Sequence, residues 1–321
     1  MPQREGLTDA LPHSSEVDTM TFFRHAAIPA MAVIVVLLAV PGDVLPAQTG
    51  GAREHPVFMW SVQGPASRAY ILGSLHALKR VAYPLDARIE KAYRSCPQVL
   101  LEADPSVVDQ DELRETMLRL GTYPDDMTLK KAVSPATYAR LRKRVEAGKI
   151  DMDRFERFRP WLAAFSIATL ELKRLGFSAQ DGVDTHFYRK ALSDGKRMIY
   201  LETAVRQMEM LSEASSGRDE DILRQALDEL DMVEKYSDDM VRAWELGDAR
   251  RMETLLKKSL EGFPGIEKKL FAERNKAWAE RIGTLLTQEG DVFVVVGAGH
   301  LVGGDGLLEE LRARKFTVVQ Q

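Results

Sequence analysis

Cysteine is nearly missing from this 321-residue chain: Cys96 stands alone. No disulfide can therefore form within it, and a single thiol reads as a small buried apolar residue rather than a nucleophile. Excess charge of either sign is missing as well, with 44 basic against 48 acidic residues. Residues 1–47 hold two of the basic and five of the acidic groups, so the remainder is close to neutral at 42 against 43. That balance leaves no basic stripe for nucleic acid and no acidic tail for a basic partner. The phosphate-binding GxxxxGK[ST] and GxGxxG loops are absent, as are HExxH and GxSxG. Nucleotide-binding and serine-hydrolase readings have no support. The longest apolar run, Ala26 to Val40, is 15 residues, short of the roughly 20 that a spanning helix needs.

That run nevertheless has a reading. Arg24 precedes it, Pro41-Gly42 and small residues around Ala47 follow it, and the pattern is that of a secretory signal peptide cleaved after Ala47. Met20 then serves as the start, because acidic residues 1–19 make a poor leader. The rival reading is an uncleaved anchor, with residues 26–40 as a membrane tether. No cysteine stands directly after the run, which excludes lipoprotein processing. Both readings place the folded part, residues 48–321, in the periplasm or outside the cell.

Within the folded part, one motif occurs twice. Val292 to Val296 is a β-branched and aromatic run that reads as a strand buried on both faces. It ends in Gly297-Ala298-Gly299-His300; near the other end of the fold, Ala69-Tyr70-Ile71-Leu72 runs into Gly73-Ser74-Leu75-His76. Two further strands, Gln98–Asp104 and Arg197–Thr203, carry glutamates at their C-terminal ends, Glu102 and Glu202. Val57–Gln63 and Arg68–Leu72 form a hairpin about Gly64-Pro65. From about 107 to 262 the periodicity is helical: 109–120, 135–147, 160–175, 184–193, 204–215, 219–245 and 248–260. A helix through Trp278 to Leu286, a helix from 306 to 314 and a last strand at 316–319 complete the chain. The ending reads as a β-α-β unit with adjacent parallel strands. The fold class is α/β: a mixed, partly parallel central sheet with a large α-helical insertion at 107–262.

Ligands of open α/β sheets gather beyond the carboxyl ends of the strands. His76, Glu102, Glu202 and His300 all sit at such ends. Two imidazoles with one or two carboxylates suit a divalent transition metal, which acts as a Lewis acid or lowers the pKa of bound water. Each group also has a structural reading: either histidine as a satisfied core residue, Glu102 as a solvated strand end. His55 and His186 are weaker candidates, and Asp184 reads most simply as a helix N-cap.

At these residues the chain resembles the TraB/GumN family, which includes the TIKI metalloproteases. The resemblance is carried by Tyr70–His76, Val99–Asp104, Gly182–Phe187, Leu201-Glu202-Thr203 with Gln207, Glu273-Arg274-Asn275, and Val296–Gly303 with Gly306-Leu307-Leu308. It spans about Val57 to Val319. It implies a divalent-metal site (manganese, cobalt or zinc) held by His76 and His300, with Glu102 as ligand or base and Glu202 as a further ligand. It implies that Arg274 orients a substrate carboxylate or stabilises an oxyanion, and that Asp184, Gln207 and Asn275 contact substrate. The expected function is a periplasmic or secreted metal-dependent hydrolase, a metallopeptidase acting on a peptide or small molecule. A non-catalytic module that binds an envelope ligand in the same cleft is the alternative.

Overall fold

The computed structural model describes residues 55–104, 110–124, 126–261 and 263–321. The expected leader, the membrane tether at 26–40 and the insertion boundary at 107 lie outside them. Strands β1 (Met59–Gln63) and β2 (Arg68–Ser74) form the expected hairpin, closed by Gly64 N–H donating to the Ser67 carbonyl. Helix α1 (Ala87–Ser95), capped by Asp86, leads into β3 (Gln98–Ala103). The helical region follows as α2 (Gln110–Gly121), α3 (Leu129–Ala132), α4 (Pro135–Ala147), α5 (Pro160–Arg174) and α6 (Val183–Ser193). After β4 (Arg197–Glu202) come α7 (Ala204–Ser215), α8 (Asp219–Glu229), α9 (Val233–Glu245) and α10 (Ala249–Ser259). Helix α11 (Pro264–Glu267) runs through a π-helical turn (Lys268–Ala272) into α12 (Glu273–Leu285). Strand β5 (Val292–Gly297), α13 (Leu307–Ala313) and β6 (Thr317–Gln320) end the chain.

The six strands lie in the order β4-β3-β5-β2-β1-β6. Strands β4, β3, β5 and β2 are mutually parallel, so their carboxyl ends share one edge of the sheet. Strand β5 is central and buried throughout, as its unbroken apolar run requires. The sheet core gathers Tyr93, Phe187, Trp244, Met252, Trp278 and Leu311 from helices on its faces. A second core lies among the helices, with Leu141, Trp161, Phe165, Leu211, Leu223 and Leu270. Val241 and Phe271 pack against both cores. Trp244 Nε1 donates to the Gly73 carbonyl at 2.6 Å, fastening α9 to the end of β2.

Two expectations are corrected. Strands β5 and β6 run parallel but are not neighbours, because β2 and β1 lie between them and β6 pairs antiparallel with β1. The single helix expected at 219–245 is two helices. Ile222, Leu223 and Ala226 of α8 belong to the helical core, whereas Met240 and Trp244 of α9 reach the sheet. Among the described residues no helix is long and apolar enough to cross a membrane.

Leu100, fully buried in β3 between β5 and β4, tests how tightly the sheet is packed. Leu100→Ala should lower unfolding stability by about 2–5 kcal/mol, read as a reduced urea midpoint with an unchanged slope.

Candidate active site

The four strand-end groups meet where the topology directs them. Gly297, the last residue of β5, is the point of closest approach. A Cβ there would lie 3.2 Å from His76 Nε2, 3.2 Å from Glu102 Oε1 and 3.6 Å from His300 Cδ2. Any larger residue would occupy the site itself, which is why the strand must end in glycine. Gly182 plays a similar part beneath His76, because a side chain there would strike the His76 carbonyl.

His76 is positioned by a carboxylate. Its Nδ1 lies 2.7 Å from Asp184 Oδ2, and Asp184 Oδ1 accepts from Ser74 Oγ at 2.8 Å. Asp184 is therefore not the N-cap of α6. Gly182 holds that place, and Asp184 faces the sheet from the first turn, where the helix dipole favours an anion. Burial drives the His76 pKa down, but the charge and hydrogen bond of Asp184, helped by Glu102, outweigh it and raise the pKa to about 9. Burial likewise opposes ionisation of Asp184, and His76 and Ser74 reverse it, leaving its pKa below the usual carboxylate value.

His300 has the opposite environment. It lies in the short 3₁₀ turn Ala298–Leu301, between Trp278 and Phe271 with ring centroids 4.3 and 4.9 Å away. Its Nδ1 lies 2.7 Å from Asn275 Oδ1, while Asn275 Nδ2 donates to the Asp305 carbonyl at 2.8 Å. With the amide nitrogen committed as a donor, Asn275 Oδ1 must accept. The network therefore assigns the proton to His300 Nδ1 and leaves a lone pair on Nε2. Burial first, then the positive charges of Arg274 and His76, lower the His300 pKa well below the ordinary value. At neutral pH the site holds one imidazolium and one imidazole.

Arg274 lies at the centre. Only 4% exposed, it uses all five of its N–H groups. Nε and Nη2 grip Glu202 at 2.9–3.1 Å, Nη1 donates to the Leu270 carbonyl at 2.8 Å and to His300 Nε2 at 3.0 Å, and Nη2 reaches Glu102 Oε2 at 3.4 Å. Trp278 lies beneath the guanidinium, 4.5 Å away, and donates through Nε1 to Glu202 at 3.0 Å. Glu102 is buried, not a solvated strand end. It accepts from Gly297 N–H at 2.5 Å and from Gln207 Nε2 at 3.2 Å. The eight strongest candidates from the sequence thus form two bonded groups, His76 with Asp184 and the other six around Arg274, which meet beside Gly297. His55 and His186 do not: the first is exposed near Pro56, and the second packs on Tyr83 and Glu90. Ser74 and Trp278 were missed, although Ser74 sits inside the first Gly-x-x-His motif.

Two imidazoles and a carboxylate are a metal-binding donor set by chemistry. Their placement does not fit an ion. Among the described residues no three His, Cys, Asp or Glu side chains are arranged to hold one. The Arg274 guanidinium already stands at His300 Nε2 and Glu102, and both Glu202 oxygens are taken up by Arg274 and Trp278.

The family model for the TraB/PrgY/gumN family matches residues 58–320. An uncharacterized protein of Treponema pallidum (strain Nichols) is 22% identical over 281 residues, covering 80% of each chain. The uncharacterized protein YbaP of Shigella flexneri is 23% identical over 249 residues, 77% of this chain and 89% of the relative, and YbaP of Escherichia coli K12 gives the same figures. No solved structure matches significantly.

The histidine environments predict a pH signature. A pKa raised to about 9 in the folded state means that the stability gained from the His76 ion pair is complete below the unfolded value of ~6.5. It is lost as pH rises through about 9. Asp184→Asn removes the group that outweighs burial, so the His76 pKa should fall from about 9 to below its ordinary value, measured by NMR titration of the His76 ring. An unchanged titration would show that Asp184 does not set the charge.

Proposed function

We propose that this chain, which belongs to the TraB/PrgY/gumN family, is a hydrolase that cleaves an amide bond laid across His76 and His300. The observation that supports the reading is the pairing itself. His76 and His300 face one point beside Gly297, the first held protonated by Asp184 and the second, its tautomer fixed by Asn275, kept neutral by burial and the Arg274 charge. Groups whose environments push their pKa values apart are suited to act as acid and base in one reaction.

In this mechanism His300 Nε2 takes a proton from a water molecule whose oxygen adds to the substrate carbonyl carbon. Arg274 Nη1, which faces that nitrogen at rest, turns to the oxyanion as it forms, and its charge stabilises it. The His76 imidazolium gives its Nε2 proton to the leaving nitrogen as the C–N bond breaks, releasing an acid and an amine. His300 then returns its proton to solvent, and His76 regains one. Glu102 and Glu202 keep Nε and Nη2 of the guanidinium engaged while Nη1 exchanges His300 for the oxyanion. With the leader expected at residues 1–47, we propose that this activity lies outside the cytoplasm.

A second reading is the divalent-metal peptidase, with His76, His300 and Glu102 as ligands. It draws on the three side chains that meet beside Gly297, and it requires Arg274 to withdraw from His300 and Glu102. Chelation distinguishes the two: turnover of an amide library should survive EDTA in the acid–base reading. In the metal reading it is lost and returns with manganese, cobalt or zinc, and His76→Ala or His300→Ala protein purifies without the ion.

Under the acid–base reading each of those variants should lower kcat/KM by at least ~100-fold. The pH profile should fall on the alkaline side near 9, as His76 loses its proton. Binding of a ligand with no turnover at any pH, with or without metal, would overturn both readings in favour of a binding module.

A further inference from the structure

We propose that the cavity beside His300 receives an apolar side chain of the substrate, and that Ser237 hydrogen-bonds the polar backbone next to it. The inference rests on the hydrolase reading for its chemistry and on the cavity alone for its selectivity. The cavity measures about 80 Å³, and His76, Glu102, Arg274 and His300 form its polar side. At roughly 10–15 Å³ for one water, that is ample room for one branched aliphatic side chain, and the largely apolar lining tells against a sugar. The remaining wall is apolar, made by Leu172, Phe177, Met240, Val241, Leu270 and Phe271. It lies on the seam between the two cores, where Val241 and Phe271 pack against both.

Besides Ser74, whose hydroxyl donates to Asp184, one polar side chain breaks this wall. Ser237, on the middle of α9, lines the cavity, is 3% exposed, and its hydroxyl has no hydrogen-bond partner. A buried hydroxyl without a partner costs stability, so its placement is explained if a ligand supplies the missing partner. An amide carbonyl or N–H beside the apolar side chain is such a partner. Beyond the shared wall of Leu256, Phe271 and Gly299 lies a larger cleft of about 440 Å³, edged by Glu253, Lys257, Glu267 and Lys268. Charges of both signs suit the continuation of a polar chain. The site is thus built for an apolar residue at the reacting bond, with the rest of the substrate leading outward.

The test uses N-acetyl-leucine amide and N-acetyl-aspartate amide, titrated by NMR into wild-type protein and into the inactive His300→Ala variant. The leucine probe should bind at least ten-fold more tightly to both proteins, as burial of one aliphatic side chain requires. Equal affinities would overturn the pocket assignment. Ser237→Ala should weaken the leucine probe about two- to ten-fold while raising the melting temperature of the free protein. Unchanged affinity would remove Ser237 from the site. Met240→Phe, which fills the cavity, should cost at least ten-fold in the same titration, and no loss would again count against the pocket. Because binding is read in inactive protein, absent turnover would sink the hydrolase reading alone. Turnover with no preference for apolar residues would sink the selectivity alone.

Discussion

A guanidinium buried to 4% exposure cannot remain without partners, and the geometry of the site follows from satisfying Arg274. Its five N–H groups draw acceptors from four separate parts of the chain: Glu102 at the end of β3, Glu202 at the end of β4, the Leu270 carbonyl in the π-helical turn, and His300 after β5. Removing any one acceptor leaves an unmet donor in a dry interior. The arrangement therefore ties the ends of three strands to one side chain. π-helical turns concentrate at functional positions of helices, and this one supplies both a carbonyl to Arg274 and the Phe271 ring against His300.

The sheet supplies the remaining constraint. Four parallel strands present their carboxyl ends on one edge, and the two Gly-x-x-His segments leave β2 and β5, which are neighbours. Two histidines more than 200 residues apart in sequence are thereby brought to a common glycine. The helical region faces this edge with α9, α10 and the π-helical turn, so the polar edge of the sheet is lined on its other side by apolar side chains. There each charge acts at a lower effective dielectric than it would in solvent.

Much of this was legible in the sequence because it is local. The double motif, the strand-end glutamates, the unbroken apolar run of β5 and most helix limits are each written within about twenty residues. What was not legible is relational. The intervening place of β2 and β1 between β5 and β6 is decided by pairing partners far away in sequence. The break between α8 and α9 carries no proline or glycine. It arises because one half packs among helices and the other on the sheet. Asp184 occupies the first turn of a helix and so resembled a cap; only the approach of Ser74 and His76 from β2 and its following turn shows its task. Arg274 was expected to face substrate. Its role as the hub joining Glu102, Glu202 and His300 depends on three strands that no local pattern connects.

The two histidines come from the same motif and follow parallel strands, His300 buried and His76 half-buried, so the motif alone does not determine their charge. The difference is the neighbour at Nδ1. Asp184 brings a negative charge that stabilises an imidazolium, while Asn275 accepts a hydrogen bond of similar length without supplying charge. A carboxylate at both positions would favour two imidazolium rings beside Arg274, and no lone pair would remain at the meeting point. An amide at both would leave burial and the Arg274 charge unopposed, and no acidic proton would remain. One carboxylate and one amide are the combination that provides a donor and an acceptor at a single glycine, which makes the site asymmetric even though the motif that builds it is repeated.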